Sequence, residues 1–351
     1  MNNTKVILQL PEPLVSAWPE NNFLSSIVQT KDTGYSWLMN THVQTYGSIY
    51  VNDIYGINEI RVTFYPFANI RANVYDLCPF IRKYVIPRKE IIRNYKVFTD
   101  FLLNAISDGF YIYAMINEFF REDTPNDFNH PCYFYGYDEK KKIIYCADNF
   151  GHGKYQTKEV SFIDINTAFE NYKITNWEAS VILYEMIEYS FKDCPTFIRE
   201  QIIDYLHPEN NFCYLNRFYC PETVYDHGSE KGEICMGIEC YQLLERLITG
   251  YINAESLNYI DIRSFVFLCD HKIMMRHRNH YLAEKKMITN DSENSELCNK
   301  LLEDCELLLN LMLKVKVSHR KKYLEKALIL LKSICQNDIL YMNNLFNSFT
   351  I

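Results

Sequence analysis

His130 opens an aromatic, alternating run, HPCYFYGYD, and a second run from Ile143 to Ala147 leads back to Asp148 and Asn149. Alternation of this kind marks strands, and the polar Asp-Glu-Lys-Lys between the runs has turn chemistry, so the segment reads as one β-hairpin. Its register decides what His130 meets. A loop of residues 138–140 sets His130 opposite Asp148, whereas a two-residue turn at Glu139 and Lys140 sets it opposite Asn149. Either side chain can orient an imidazole. A histidine held in this way is the base-plus-orienter half of a nucleophilic triad, with the nucleophile still to be supplied. Pro131 biases His130 toward extended backbone at a strand entrance, where a base can face a cleft. A structural histidine there is ordinary, and the paired spacing is what favours chemistry.

Gly136-Tyr137-Asp138, in a strand that starts with His130, followed by Ala147-Asp148, resembles the second half of papain-like cysteine enzymes. The nearest subgroup is the bacteriocin-leader peptidases and the acyltransferases similar to butirosin biosynthesis protein H. The likeness extends upstream to GFYIYAMINEFF (109–120) and downstream to MGIECYQLLERL (236–247) and DIRSFVFLCDHKIMMRHRNHYL (261–282). It implies a cysteine at the start of the first long helix. Here that segment reads Pro19-Glu20-Asn21-Asn22-Phe23-Leu24-Ser25-Ser26, and no cysteine precedes Cys78, so the implied nucleophile position holds Asn22. A carboxamide cannot attack an acyl group. The chain is then an inactive relative, or uses Ser25 or Ser26 as an oxygen nucleophile, or transfers directly with His130 deprotonating an amine that attacks a bound thioester; an offset alignment is the fourth reading.

The resemblance implies acyl or amide transfer, from a thioester on a carrier protein to a small-molecule amine, in specialised metabolite biosynthesis. His130 is the base, Asp148 or Asn149 its orienter, and main-chain or amide donors near Asn22 hold the oxyanion. The alternatives are a non-catalytic scaffold of the same fold that binds a carrier protein or peptide, and a leader peptidase. Arg82, Lys83, Arg88, Lys89, Arg93 and Lys96 form a basic segment that reads either as a solvated face or as a docking surface for an acidic carrier with a phosphopantetheine arm.

Other candidates carry less. Cys78 is flanked by Leu77 and Phe80 and reads as buried, and Pro79 keeps it away from a helix N-terminus that would stabilise a thiolate. Cys132 shares the face of His130 and reads as core packing. The cysteines and histidines show no metal-ligand spacing, and Gly151-His152-Gly153-Lys154 lacks the Walker pattern, so neither a metal nor a cofactor is expected.

A net charge of −8 leaves no basic footprint for nucleic acid. With 48% hydrophobic residues over 351 positions, the chain can bury a sizeable core. No run approaches the roughly 18 apolar residues that span a bilayer, and the N-terminus has no signal-peptide pattern, so a cytoplasmic protein with reduced cysteines is expected.

The patterning predicts an α+β protein, with an antiparallel sheet in the half over residues 1–175 and then a helical half over 176–351; the resemblance implies that the first half is papain-like. Residues 86–107 read as one helix with Pro87 in its first turn. Strands are expected near 110–118, 131–137, 142–147 and 156–162, and helices near 177–190, 193–205, 234–253, 261–287, 294–315 and 319–346.

Overall fold

The computed structural model describes residues 4–52, 57–64, 74–120, 128–150, 155–173, 180–208, 234–257, 259–289 and 292–350. In chain order its first elements are β1 (Lys5–Ile7), α1 (Pro19–Val28), α2 (Asp32–Thr41), β2 (Thr45–Asn52), β3 (Ile57–Phe64), β4 (Ile81–Pro87) and α3 (Arg88–Asn94). Then come α4 (Phe98–Ser107), β5 (Tyr111–Asn117), β6 (Asn129–Asp138), β7 (Ile143–Asp148), β8 (Gln156–Ser161), α5 (Phe162–Glu170) and β9 (Ser180–Met186). The remainder is α6 (Pro195–Leu206), β10 (Ile234–Met236), α7 (Cys240–Asn253), α8 (Arg263–Glu284), α9 (Ser292–Ser318) and α10 (Lys322–Ser348). The fold is α+β, and no helix among the described residues is long and apolar enough to cross a membrane.

Two compact units emerge, Met1–Gly34 with Cys78–Ser190, and Tyr35–Leu77 with Phe191–Ile351. They are not the sequential halves divided at residue 175. The first unit reaches further because Ser180–Met186 is a strand and not the start of a helix. Val181, Ile182, Leu183 and Tyr184 alternate, and β9 is paired antiparallel on both sides, with β4 and with β5. The second unit takes in residues 35–77 because β2 pairs with β10 and β3.

The first unit is an antiparallel sheet of order β4-β9-β5-β6-β7-β8, with β1 against the far end of β6. On one face Ile112, Ala114, Ile116, Cys132, Phe134, Ile144 and Cys146 form a core with Phe98, Phe101 and Leu102 of α4 and Ile165 and Phe169 of α5. Phe98 stacks on Phe169 at 3.8 Å between ring centroids. Burial of each such aromatic contributes about 1.5–3 kcal/mol. The other face carries Tyr111 and Tyr133, which receive Phe23 of α1, stacked on Tyr133 at 4.0 Å.

The helix expected over 86–107 is broken. Residues 81–87 extend along β9, Pro87 caps α3 from outside, and Tyr95 and Val97 are extended before α4 begins. The extended backbone of the C-cap Tyr95 and of β-branched Val97 interrupts what the apolar spacing alone suggests.

The second unit hides charge inside helices. Lys272 Nζ of α8 lies 2.5 Å from Asp338 Oδ2 of α10, both side chains fully buried. Tyr205 and Tyr241 donate hydroxyl hydrogens to the same carboxylate at 2.6 and 3.0 Å. Burial pushes the Asp338 carboxyl up, and the adjacent Lys272 ammonium outweighs that and holds it below the usual carboxylate value. Lys272 also donates to His271 Nδ1 at 3.1 Å, which leaves His271 Nε2–H to donate to the Val43 carbonyl at 2.9 Å. Buried Arg278 donates to the carbonyls of Met39 and Leu38, capping the last turn of α2. Removing one member of such a pair strands the other charge, at about 3–5 kcal/mol.

Burial lowers the pKa of both His42 and His271 from 6.5 to about 3. Both are therefore neutral in the fold at pH 5, where the unfolded chain protonates them. Their effect on stability is nil above pH 7 and becomes a loss as pH falls from 6.5 toward 3. Each costs about 1.4 kcal/mol per pH unit in that window. Urea unfolding followed by helical circular dichroism is expected to weaken steeply between pH 6.5 and 5; equal stability at pH 7.5 and 5 would contradict this.

Candidate functional site

Three strands of the first unit place Glu118, His130 and Asp148 together. The β6–β7 ladder runs Tyr133↔Ala147 and Phe134↔Cys146, shifts between Phe134 and Gly136, and closes at Asp138↔Ile143. The turn is therefore residues 139–142, longer than either expected loop, and Tyr135 is the extra residue of a bulge. The bulge and the long turn together set Asp148 opposite Cys132, and His130 two residues further along the same face. That is a diagonal pair, about 7–8 Å between backbones and within reach of an imidazole and a carboxylate. His130 Nδ1 lies 2.7 Å from Asp148 Oδ2.

On the other side Ile116 pairs with His130, and the Glu118 amide donates to the Phe128 carbonyl at 2.7 Å. Glu118 thus shares the parity of Ile116 and the face of His130, and its Oε2 stands 3.8 Å from His130 Nδ1. Both carboxylates have side chains of 0% exposure, and the imidazole retains 23%. Phe128 stacks on the imidazole at 5.1 Å, fixing the ring plane. The contact of Nδ1 with Asp148 makes Nδ1–H the donor of the neutral imidazole and leaves Nε2 as its acceptor.

Asn22 is the fourth residue of α1 and is fully buried. Its side-chain amide donates to Asn149 Oδ1 at 2.6 Å and to the Ser16 carbonyl at 3.4 Å, and it makes no hydrogen bond to His130. Asn149 also donates to the Ser16 carbonyl, at 3.3 Å. Strand alternation sends Asn149 to the face opposite Asp148, the face on which α1 packs through Phe23. Asn22 and Asn149 are thus a carboxamide pair under α1. The Asn22 amide is not available to an oxyanion: Trp18, with φ of 65° at the N-cap, turns its carbonyl to accept from the Asn21 and Asn22 amides at 2.9 and 3.2 Å.

The other candidates are placed plainly. Ser26 donates to the Pro11 carbonyl, and Ser25 Oγ accepts from Gln29 at 3.2 Å; both are buried. Burial pushes the Cys78 thiol up to about 12. Cys132 is fully buried and raised well above the ordinary thiol value, first by desolvation and then by Cys146, Glu118 and Asp148. Gly151, His152, Gly153 and Lys154 lie outside the described residues.

Within the basic segment Arg82, Lys83, Lys89, Arg93 and Lys96 are exposed, but Arg88 is not part of that surface. It is buried, donates to the carbonyls of Met115 (2.9 Å) and Phe169, and lies 3.4 Å over the Phe169 ring. Arg88 ties α3 to the sheet and α5.

Glu118 was not among the residues singled out by sequence. Its signal was parity, an acid two positions past Ile116, which becomes legible only once Ile116 is known to pair with His130. Glu118, His130 and Asp148 offer ligand atoms that all lie within 4.8 Å of one another. No model of a known protein family matches the chain, and neither does any curated protein.

A thiolate is the reactive form of cysteine, so alkylation of the native protein at neutral pH is expected to modify exposed Cys194 and leave buried Cys78 and Cys132 untouched until unfolding. Peptide mass analysis reads this directly. Modification of Cys132 as fast as Cys194 would show that the face carrying His130 is open to a nucleophile of its own strand.

Proposed function

We propose that the protein catalyses direct acyl transfer, from a thioester carried on a phosphopantetheine arm to a small-molecule amine, with His130 as general base. The observation that carries this reading is the 2.7 Å contact of His130 Nδ1 with buried Asp148, on an imidazole that keeps partial exposure. His130 Nε2 accepts a proton as the amine nitrogen bonds to the thioester carbon. The C–S bond then breaks, and the departing thiolate takes the proton from Nε2. No enzyme-bound acyl intermediate is formed, which accords with Asn22 being locked to Asn149 and both Ser25 and Ser26 being hydrogen-bonded. Exposed Arg82, Lys83, Lys89, Arg93 and Lys96 supply the charge complementarity an acidic carrier protein requires. In this reading the protein works in the cytoplasm, in specialised metabolite biosynthesis, on a papain-like scaffold.

A second reading is favoured by one observation: the implied nucleophile position holds a buried carboxamide pair, which suits a papain-like scaffold that binds a carrier protein or peptide without chemistry.

Aminolysis of an acyl-pantetheine thioester, with a panel of primary amines and release of free thiol as the readout, separates the two. Direct transfer predicts turnover that falls about 10²–10⁴-fold in His130→Ala, as loss of a general base does. Asp148→Asn should also slow it, and Asn22→Cys should turn over at the parental rate with an unlabelled buried thiol. Turnover unchanged in His130→Ala overturns the reading, and absent turnover with retained carrier binding establishes the scaffold. Rapid, His130-dependent labelling of Asn22→Cys would instead restore the covalent route.

A further inference from the structure

We infer that Glu118, His130 and Asp148 form a binding site for one divalent transition ion of the Zn²⁺ or Mn²⁺ type. The donor set is one imidazole nitrogen and two carboxylates, each delivered by a different strand or strand end of one hydrogen-bonded sheet. Metal–ligand bonds of about 2.0–2.2 Å put donor atoms roughly 3–3.5 Å apart around a tetrahedral ion. The His130–Asp148 and His130–Glu118 separations, 2.7 and 3.8 Å, bracket that spacing. All three donor atoms lie within 4.8 Å of one another, so side-chain rotation can close the set around one ion.

Charge supplies the second argument. Two carboxylates with no exposed surface share one face, and each costs several kcal/mol to remove from water. A divalent ion held between them offsets that cost for both. Access supplies the third: three protein ligands leave positions open, and the partly exposed His130 marks the side from which an ion enters. The nitrogen ligand favours Zn²⁺ over Mg²⁺ or Ca²⁺, which take oxygen ligands, and the two carboxylates also admit Mn²⁺. Phe128, stacked on the imidazole, holds the ring for this role as well.

The site stands on geometry and does not require that the protein be a transferase. Where both hold, they are linked. An ion on Nδ1 moves the imidazole proton to Nε2, which removes the base, so the metal would act as an inhibitor of transfer.

The test is calorimetric titration of the chelator-treated full chain with ZnCl₂ and with MnCl₂, and Co²⁺ absorption as a reporter of a mixed nitrogen and oxygen set. One ion per chain is expected, weakened by at least about tenfold in Glu118→Gln and in Asp148→Asn, both checked for native circular dichroism. His277 and His280, one turn apart on α8, are the competing surface site, and His280→Gln is expected to leave the affinity unchanged. Should Glu118→Gln unfold, Zn²⁺ titration of the parent protein with ¹⁵N-labelled histidine decides, because His130 Nδ1 must shift. No binding, affinity indifferent to Glu118 and Asp148, or a His130 resonance that stays put overturns the site.

Discussion

The pleat shared by β5, β6 and β7 decides where the polar chemistry of this protein meets. Side chains alternate faces along each strand, so pairing Ile116 with His130, and setting Asp148 opposite Cys132, sends Glu118, His130 and Asp148 to one face. A slip of one residue in any pair would break the group up and turn a carboxylate into the opposite side of the sheet. The apolar residues on the same face, from Ile112 to Cys146, enforce the register because a slip would also expose them. The hydrophobic core under α4 and α5 and the polar site at the end of the sheet are thus two consequences of one alignment.

Part of this could be read from residue order. The hairpin, the pairing of His130 with an acid across it and the long C-terminal helices all follow from alternation and helical periodicity. The route to the pairing did not, because two local features set the register. The turn spans residues 139–142, and the bulge at Tyr135 adds the residue that the ladder needs to set Asp148 opposite Cys132. Glu118 escaped because parity has no meaning until a partner strand is known. Arg88 looked like one more surface cation, yet its guanidinium is spent on two carbonyls and an aromatic face. Asn22 was placed by resemblance at the head of a helix, where it does lie, but the face on which that helix packs is a tertiary fact.

The helical unit shows the same limit differently. Lys272, Asp338, Tyr205 and His271 come from three helices and would each pass for surface residues on their own. Their burial is tolerable because every charge meets an opposite charge or a hydrogen bond within the group. A helix such as α8, buried on nearly every side, gives no amphipathic stripe from which that arrangement could be inferred.

The hydrogen bond between His130 Nδ1–H and Asp148 decides which ring nitrogen is left as the acceptor. Two-bond ¹⁵N–¹H correlation of histidine-labelled, chelator-treated protein at mildly alkaline pH reads the tautomer directly. His130 is expected to be protonated at Nδ1, with a strongly downfield proton that disappears in Asp148→Asn. A His130 found as the Nε2–H tautomer, with spectra indifferent to Asp148, would contradict it.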